Sequence, residues 1–262
     1  MEYSIDRIQK PPHGELMPVA PVVRINRTPQ PMNIPTLLLT MMIGTALTAV
    51  AQAAREDLLE SLKPAVTTAT AGFAKIPEDR QRELKKIALF VQSKIAAGEP
   101  AQVTFICTHN SRRSHLAQIW AQTAAAYYGI TGFKAFSGGI EVTACNERTV
   151  AALKRAGFAI TEQPAEKNPV YLVKYSEKAE PIRSYSKFYN AEGNPQGNYL
   201  AAMTCDHADA NCPIVQGASL RVPVHYVDPK IADGKPEETA TYDERSQQIA
   251  SEMFYMMSLV KR

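Results

Sequence analysis

Residues 103–120 read VTFICTHNSRRSHLAQIW, and this stretch decides the fold class. The run 103–106 is β-branched and aromatic, which predicts a short buried strand. A polar loop begins at Cys107, and the apolar residues of 116–124 then recur with the spacing of an amphipathic helix. The predicted order is therefore strand, loop, helix.

The same alternation continues on both sides of this stretch. Further strands are predicted at 133–137, 199–204 and 222–226, and helices at 55–63, 77–98, 147–156 and 242–260. Strands that alternate with helices favour a three-layer α/β fold, with a four-stranded parallel sheet covered by helices on both faces. Residues 168–189 alternate with period two and are interpreted as an inserted β-hairpin.

Composition restricts the classes of function. The chain has 262 residues, enough for one sizeable α/β domain with appendages. Its 29 basic and 26 acidic residues are interspersed and give a net charge of +3, so nucleic acid is not an expected partner. Four cysteines are too few for a disulfide framework in a chain of this length.

The amino-terminal region differs from the rest of the chain. Residues 36–53 are apolar or small and carry no charge, and Ala51-Gln52-Ala53 fits the small-x-small pattern of signal cleavage. This predicts an exported, periplasmic protein or a membrane-anchored one. A cytoplasmic location follows if the segment is not a functional signal, and the alternative is a helix buried in the fold. Met32 is a possible start, which leaves the translation of 1–31 open.

Cys107 begins a loop that connects a strand to a helix. Such a loop points backbone N–H groups and the positive end of the helix at its contents, so it can hold an anion. The same dipoles stabilise a cysteine thiolate. Arg113 can clamp a tetrahedral oxyanion, Ser114 can donate to the sulfur, and Asn110 can brace the loop. The alternative is a small buried cysteine with no chemical role.

The run Cys107-x-x-Asn110-Ser-x-Arg113-Ser114 resembles the low-molecular-weight tyrosine phosphatases and the thioredoxin-coupled arsenate reductases, whose signature is Cys-x-Gly-Asn-x-Cys-Arg-Ser. His109 stands at the glycine and must tolerate that position's backbone angles, while Arg112 replaces the second cysteine. The resemblance covers about 101–260 and implies the low-molecular-weight phosphatase fold. It also implies an oxyanion loop formed by Thr108, His109, Asn110, Ser111, Arg112, Arg113 and Ser114.

Residues 202–213 read AMTCDHADANCP and contain two further cysteines, Cys205 and Cys212. Their spacing does not fit a Cys-x2-Cys zinc site. A zinc site that includes His207 and a structural disulfide both remain alternatives. The run is similar to the reductase branch of the family, which implies a relay. In that relay Cys107 attacks arsenate, Cys205 attacks the adduct and expels arsenite, and Cys212 closes a disulfide with Cys205.

Asp228-Pro229 follows the fourth predicted strand. The resemblance implies that Asp228 is the general acid that protonates the leaving oxygen. An Asp before Pro also initiates turns, which is the alternative. Ser137 and Asn110 match positions that bind potassium in some of the reductases. The position that is acidic there is Gln118 here, so no metal or cofactor is predicted.

These features predict a cysteine-dependent arsenate reductase that uses Cys107, Arg113, Asp228, Cys205 and Cys212, with a thioredoxin-like dithiol protein as reductant. A phosphatase acting on phosphotyrosine through a phosphocysteine is the first alternative, and a non-catalytic oxyanion-binding protein is the second. Export would require a periplasmic reductant. The predicted organisation is an extension at 1–53, a helical segment at 54–100 and a catalytic domain at 101–262, and Cys145 has no assigned role.

Overall fold

The computed structural model describes residues 58–211 and 214–261. The helices of this part are α1 (Lys63–Ala71), α2 (Glu78–Ala96), α3 (Arg113–Tyr128), α4 (Glu147–Ala156), α5 (Asp206–Asn211) and α6 (Glu238–Ser258). The strands are β1 (Ala101–Cys107), β2 (Phe133–Gly139), β3 (Ala159–Gln163), β4 (Val170–Lys174), β5 (Ile182–Ser184), β6 (Tyr199–Met203) and β7 (Ala218–Pro223).

The main sheet has four strands in the order β2-β1-β6-β7, and every neighbouring pair is parallel. Ile106 is level with Gly138 on one side and with Met203 on the other. The carboxyl ends of β1, β2 and β6 therefore meet at one edge, where α/β proteins usually bind ligands. The predicted α/β class with a four-stranded parallel sheet is confirmed.

One face of the sheet carries the larger hydrophobic core. Phe105 of β1 is fully buried together with Leu84 of α2, Trp120 of α3 and Phe254 of α6. The indole N–H of Trp120 donates to Ser246 Oγ at 3.0 Å, so this large side chain is buried without an unpaired donor. The helices α2, α3 and α6 are thereby fixed on the sheet, and α3 sets the position of the loop before it.

The second face is covered differently. Its buried residues include Ile106, Ala201 and Met203 of the sheet, with Ala208 of α5 packed against them. The sheet is thus flanked by helices, as predicted. The helix on this face has only six residues, and Tyr189 of the irregular segment 185–198 packs against the same buried cluster.

A second, antiparallel sheet has the order β3-β4-β5. Strands β4 and β5 form the predicted hairpin, with Leu172 opposite Arg183. Strand β3 was not predicted, because four of its five residues are exposed and leave no apolar pattern. The predicted second arm is also too long, since only Ile182–Ser184 pairs.

Three other predicted boundaries were wrong. Of the helix expected at 55–63, residues 55–57 lie outside the described part and Glu60–Leu62 form a 3-10 turn, whereas α1 itself starts at Lys63, because Pro64 fits a first helical turn instead of ending a helix. The strand expected at 222–226 is β7, which starts four residues earlier, at Ala218, and has one buried residue, Val222. Helix α6 begins at Glu238, four residues before the predicted start.

Strand β2 continues through Gly138 and Gly139, two residues beyond its predicted end at Ser137. A Cβ at Gly138 would lie 2.2 Å from Tyr189 Cα, and one at Gly139 would lie 2.7 Å from Thr108 O. Glycine lets two stretches of backbone approach the strand, and segment 187–189 uses this by exchanging hydrogen bonds with Gly139.

We expect Gly138→Ala to destabilise the fold by about 1–3 kcal/mol, because the added methyl group meets backbone that cannot move aside cheaply. Denaturant unfolding measures this change. Gly197→Ala is the matched control, since no atom lies within 4 Å of a Cβ built there. Equal stability of the two variants would contradict the proposed close approach of Tyr189.

The predicted signal or anchor at 36–53 lies outside the described residues and stays a prediction, as does the division into 1–53, 54–100 and 101–262. Among the helices of residues 58–211 and 214–261, none has the length and apolar character needed to cross a membrane.

Candidate active site

Cys107 is the last residue of β1, and α3 begins at Arg113, so the predicted strand-loop-helix arrangement is present. The cysteine is 3% exposed. Within the described part of the chain, the backbone N–H groups of residues 108–112 donate no hydrogen bond. A loop with several open N–H donors beside a helix start can hold a tetrahedral anion.

The loop owes its shape to hydrogen bonds that its carbonyl groups accept from surrounding segments. Because residue 139 is a glycine, the backbone of β2 can lie close to the Thr108 carbonyl group. The pairs are Ile140 N and Glu141 N with Thr108 O (2.9 Å each), Ser186 Oγ with His109 O (2.7 Å) and Asn146 N with Ser111 O (2.9 Å). Because the carbonyls are bonded outward, the N–H groups are left for a ligand.

Asn110 carries the unusual backbone conformation of the loop, with φ of 45°. The expectation that His109 bears the strain is therefore wrong, and Asn is the better residue for this left-handed region because its short side chain tolerates it. His109 lies at the rim, 43% exposed, with Nε2 3.0 Å from Glu141 Oε2.

Ser114 lies between the side chains of Cys107 and Asn110. Asn110 Nδ2 donates to Ser114 Oγ at 2.9 Å, and Ser114 Oγ is 3.1 Å from Cys107 Sγ. Since the serine oxygen already accepts a hydrogen bond, its own hydrogen is available to the sulfur. Asn110 Oδ1 in turn accepts from Lys187 N at 3.1 Å. This chain of contacts orients a donor towards a thiolate at Cys107.

Arg113 is held by two acceptors. Nη2 donates to Asp228 Oδ2 at 2.7 Å, and Nη1 donates to Tyr226 O at 3.1 Å. Its buried Nε has no partner in the described part of the chain. Tyr226 is fixed in turn, because its hydroxyl donates to Glu252 Oε2 at 2.7 Å and burial raises the pKa of both side chains.

Asp228 lies directly after the segment that follows β7. One carboxylate oxygen pairs with Arg113, and the other accepts from Lys230 N at 3.1 Å. The side chain thus also caps the 3-10 turn Pro229–Ala232. Asp228 therefore both initiates a turn and presents a carboxylate to Arg113, so both interpretations of the Asp-Pro pair apply to it. Its side chain is 28% exposed.

Arg112 was expected among the oxyanion-binding residues, but its side chain is used elsewhere. Nε donates to Tyr242 Oη at 2.8 Å, and Nη2 donates to Asp233 at 3.3 Å. Burial is the main cause that raises the pKa of Tyr242 to about 12. Arg112 therefore offers only its backbone N–H to the loop and anchors the loop to helix α6.

Cys205 lies two residues after the end of β6 and is fully buried. Its sulfur is 3.4 Å from Thr108 Oγ1 and accepts from Ala208 N at 3.4 Å. Thr108 follows the predicted nucleophile, so the structure brings Cys205 to the loop. Cys205 is a free thiol here, and its predicted partner Cys212 lies outside the described residues.

Two other buried groups stay uncharged. Burial raises the pKa of the Cys145 thiol to about 12, which agrees with the absence of an assigned role. Burial lowers the pKa of His115 to about 3, and its Nδ1 lies 3.3 Å from Ser137 Oγ. Of the three positions compared with a potassium site, Gln118 presents a buried Oε1 that has no partner among the described residues. Within the same residues, no cluster of three or more His, Cys, Asp or Glu side chains could hold a metal ion.

The approach of His207 to the loop was not predicted from the sequence, nor was the support given by Ser186 and Lys187. His207 Nδ1 lies 3.2 Å from Thr108 Oγ1. The position of His207 between Cys205 and Cys212 could have indicated that it lies near the loop, because this run resembles the reductase branch. Ser186 and Lys187 gave none, because they reach the loop from a distant segment.

Comparison with known proteins supports the resemblance. Residues 102–172 match the model of the family described as low molecular weight phosphotyrosine protein phosphatase. An arsenate reductase of Halalkalibacterium halodurans is 29% identical over 136 residues, 52% of this chain and 79% of that protein. An arsenate reductase of Brevibacillus brevis is 29% identical over 127 residues, 48% of this chain and 75% of that protein.

Among solved structures, a YwlE mutant from Bacillus subtilis aligns with a TM-score of 0.41 at 13% identity, covering 62% of this chain and 99% of that one. The predicted resemblance to the phosphatase and arsenate reductase family is confirmed. The prediction of an enzyme is confirmed with it, because the matched family and the named relatives are enzymes.

Proposed function

We propose that this chain, an enzyme whose residues 102–172 match the low-molecular-weight phosphotyrosine phosphatase family, is a cysteine-dependent arsenate reductase. The relatives described above are arsenate reductases and support this choice. The observation that carries the proposal is the contact of Cys205 Sγ with Thr108 Oγ1 at 3.4 Å. Phosphate-ester hydrolysis does not need a second thiol beside the loop, whereas arsenate reduction does.

The first half of the proposed reaction uses the loop. Arsenate binds to the open N–H groups of residues 108–112 and to Arg113, which complement a tetrahedral dianion. The Cys107 thiolate, to which Ser114 donates, attacks arsenic and forms a sulfur–arsenic bond. An arsenate oxygen leaves as water after Asp228 gives it a proton. Asp228 must separate from Arg113 for this step, and the bound oxyanion takes its place on the guanidinium.

The second half transfers two electrons. The Cys205 thiolate attacks the sulfur of the Cys107 adduct, a disulfide forms, and the sulfur–arsenic electron pair leaves with arsenic as arsenite. Cys212 then attacks Cys205, which frees Cys107 and leaves a Cys205–Cys212 disulfide. A thioredoxin-like dithiol protein reduces that disulfide and resets the enzyme. No metal or other cofactor takes part in these steps.

The test is turnover of the purified chain with arsenate and a thioredoxin-type reducing system, with arsenite measured directly. We expect arsenite to form continuously, and to stop after a single turnover when the reductant is withheld. Hydrolysis of p-nitrophenyl phosphate is assayed in parallel. Phosphate release with no arsenite in either condition would reject the reductase and leave the phosphatase.

A phosphatase is the second candidate, favoured by the 2.7 Å contact of Arg113 with Asp228, which brings a carboxyl group to the predicted oxyanion clamp. Cys107 would form a phosphocysteine, and Asp228 would protonate the leaving alcohol and then activate water. Phosphotyrosine is the substrate that the family description suggests. Neither Cys205 nor Cys212 has a role in this reaction.

We expect Asp228→Asn to lower kcat for p-nitrophenyl phosphate about a hundredfold with little change in KM, because the amide cannot donate a proton to the leaving oxygen. Steady-state kinetics measure this change. Asp233→Asn is the matched control, since Asp233 pairs with Arg112 and Tyr242 and lies outside the proposed proton transfer. Equal kcat values for the two variants would remove Asp228 from the role of general acid.

We also propose a location for the enzyme outside the cytoplasm or at the membrane. An exported or membrane-anchored enzyme would follow from residues 36–53, and the relay would then need a periplasmic dithiol reductant. The remaining alternative, a non-catalytic oxyanion-binding protein, is separated from both enzymes by substitution of Cys107.

A further inference from the structure

We infer that His207 removes the proton of Cys205 through the hydroxyl group of Thr108. This inference rests on the proposed function, in which Cys205 attacks the adduct as a thiolate. His207 touches neither the substrate nor the reacting sulfur and acts only through Thr108, so it is a positioning residue. No role for His207 is part of the relay described above.

The three side chains form a continuous line. Thr108 Oγ1 lies 3.4 Å from Cys205 Sγ and 3.2 Å from His207 Nδ1. Sulfur is large, so 3.4 Å is within hydrogen-bond range for a thiol and a hydroxyl. Thr108 is thus the bridge between a thiol at the end of β6 and an imidazole on α5.

Burial explains why a bridge is needed. Cys205 is fully buried, so water cannot take its proton directly, whereas His207 is exposed. A hydroxyl group can accept one hydrogen bond while it donates another. It can therefore gain one proton and lose another, and its own charge stays the same. Proton transfer along this line connects the buried sulfur to solvent.

The direction of the hydrogen bonds changes with the proton. Before transfer, the thiol donates to Thr108 Oγ1 and the threonine hydroxyl donates to the neutral His207 Nδ1. After transfer, the imidazolium donates to Thr108 Oγ1 and the hydroxyl donates to the Cys205 thiolate. One proton leaves sulfur and one reaches nitrogen, and no electron is exchanged. Ala208 N also donates to the sulfur at 3.4 Å, which favours the second state.

The two carboxylates of helix α5, Asp206 and Asp209, do not pair with the His207 ring in the described structure. On its own helix, Asp206 Oδ1 accepts from the His207 backbone N–H at 2.9 Å. Asp209 pairs with Arg221 and with His225, whose Nε2 lies 2.9 Å from Asp209 Oδ2. The neutral imidazole of His207 presents Nδ1 to the Thr108 hydroxyl, and a ring nitrogen without hydrogen can accept the proton.

The test uses His207→Gln, Thr108→Val and Thr108→Ser, with His225→Gln as the matched control. His225 is a second imidazole that contacts α5, through Asp209, and among the described residues it makes no hydrogen bond with Thr108. The first readout is single-turnover arsenite release, with and without added imidazole. The second is the ultraviolet absorbance of thiolate against pH, from which the Cys205→Ser curve is subtracted to isolate Cys205.

We expect His207→Gln to slow arsenite release about a hundredfold and added imidazole to restore part of the rate, since His207 is exposed. Thiolate formation at Cys205 should move to higher pH in His207→Gln and Thr108→Val, but not in Thr108→Ser or His225→Gln. Hydrolysis of p-nitrophenyl phosphate by His207→Gln should match the wild type, which shows that the loop is intact.

The outcomes separate this inference from the proposed function. If the wild type releases no arsenite, the reductase proposal fails, and the thiolate titration still decides whether the three side chains form the relay. If His207→Gln behaves as His225→Gln does in the titration, the inference is overturned, whatever the arsenite assay gives.

Discussion

Cys107→Ser should lower arsenate reduction and phosphate-ester hydrolysis together by a factor of about ten thousand or more, as loss of a covalent nucleophile does in other enzymes. The reason lies in the loop geometry. Open N–H groups and the Ser114 hydroxyl stabilise an anionic sulfur at this position, whereas a serine hydroxyl is not ionised near neutral pH. Initial rates of both reactions measure the effect.

The same variant should still bind oxyanions, because Arg113 and the loop N–H groups remain. Calorimetric titration with phosphate or arsenate tests this expectation. Cys145→Ala is the control, since that buried thiol has a pKa raised to about 12 by burial and no assigned role. A protein whose activity survives in Cys107→Ser would not use a covalent cysteine intermediate, and the oxyanion-binding alternative would gain.

Cys205→Ser should abolish continuous arsenite formation, a loss of about a thousandfold or more, because a hydroxyl group cannot form the disulfide that expels arsenite. Serine keeps the hydrogen-bonding contacts with Thr108 and Ala208, so the surroundings should change little. Turnover with arsenate and the reducing system measures this loss.

Phosphate-ester hydrolysis by Cys205→Ser provides the internal comparison. It needs Cys107, Arg113 and Asp228, and we expect it to stay within about twofold of the wild-type rate. Cys212→Ser should also stop continuous turnover, but it should allow one arsenite per chain because Cys205 is still present. Arsenite turnover at the wild-type rate in Cys205→Ser would exclude Cys205 from the reaction.

The sequence predicted the part of the site that is formed by consecutive residues. The β-branched run before Cys107 and the helical pattern after it gave strand β1, helix α3 and the loop between them. Helix α4 was predicted with its observed bounds, and in the structure Asn146 caps its start and Gly157 ends it. These signals depend on neighbouring residues and are complete in the sequence.

Other features depend on contacts between distant segments. Arg112 looked like a ligand of the oxyanion, yet Tyr242 and Asp233 take its side chain. The conformational strain falls on Asn110 and not on His109, because Asn110 is held from both sides by Ser114 and the Lys187 N–H. Partners this far apart along the chain leave no periodic signal.

The strand β7 shows the same limit. Only one of its six residues, Val222, is buried, so the first part of the strand leaves no continuous apolar pattern and the strand was predicted at 222–226. Pairing with β6 instead selects Ala218–Pro223, and Val224 and Tyr226 donate to Met203 O and Thr204 O beyond the end of the strand. The extended run after β7 thereby carries the Tyr226 carbonyl to Arg113 and ends beside Asp228.

The central claim is that Cys205 resolves the Cys107 adduct, and a single-turnover experiment without reductant tests it most directly. Reduced protein is mixed with arsenate, arsenite is counted per chain, and the disulfide is located by mass spectrometry of peptides. We predict one arsenite per chain together with a Cys205–Cys212 disulfide. No arsenite, with Cys205 and Cys212 still reduced and p-nitrophenyl phosphate hydrolysed normally, would contradict the claim.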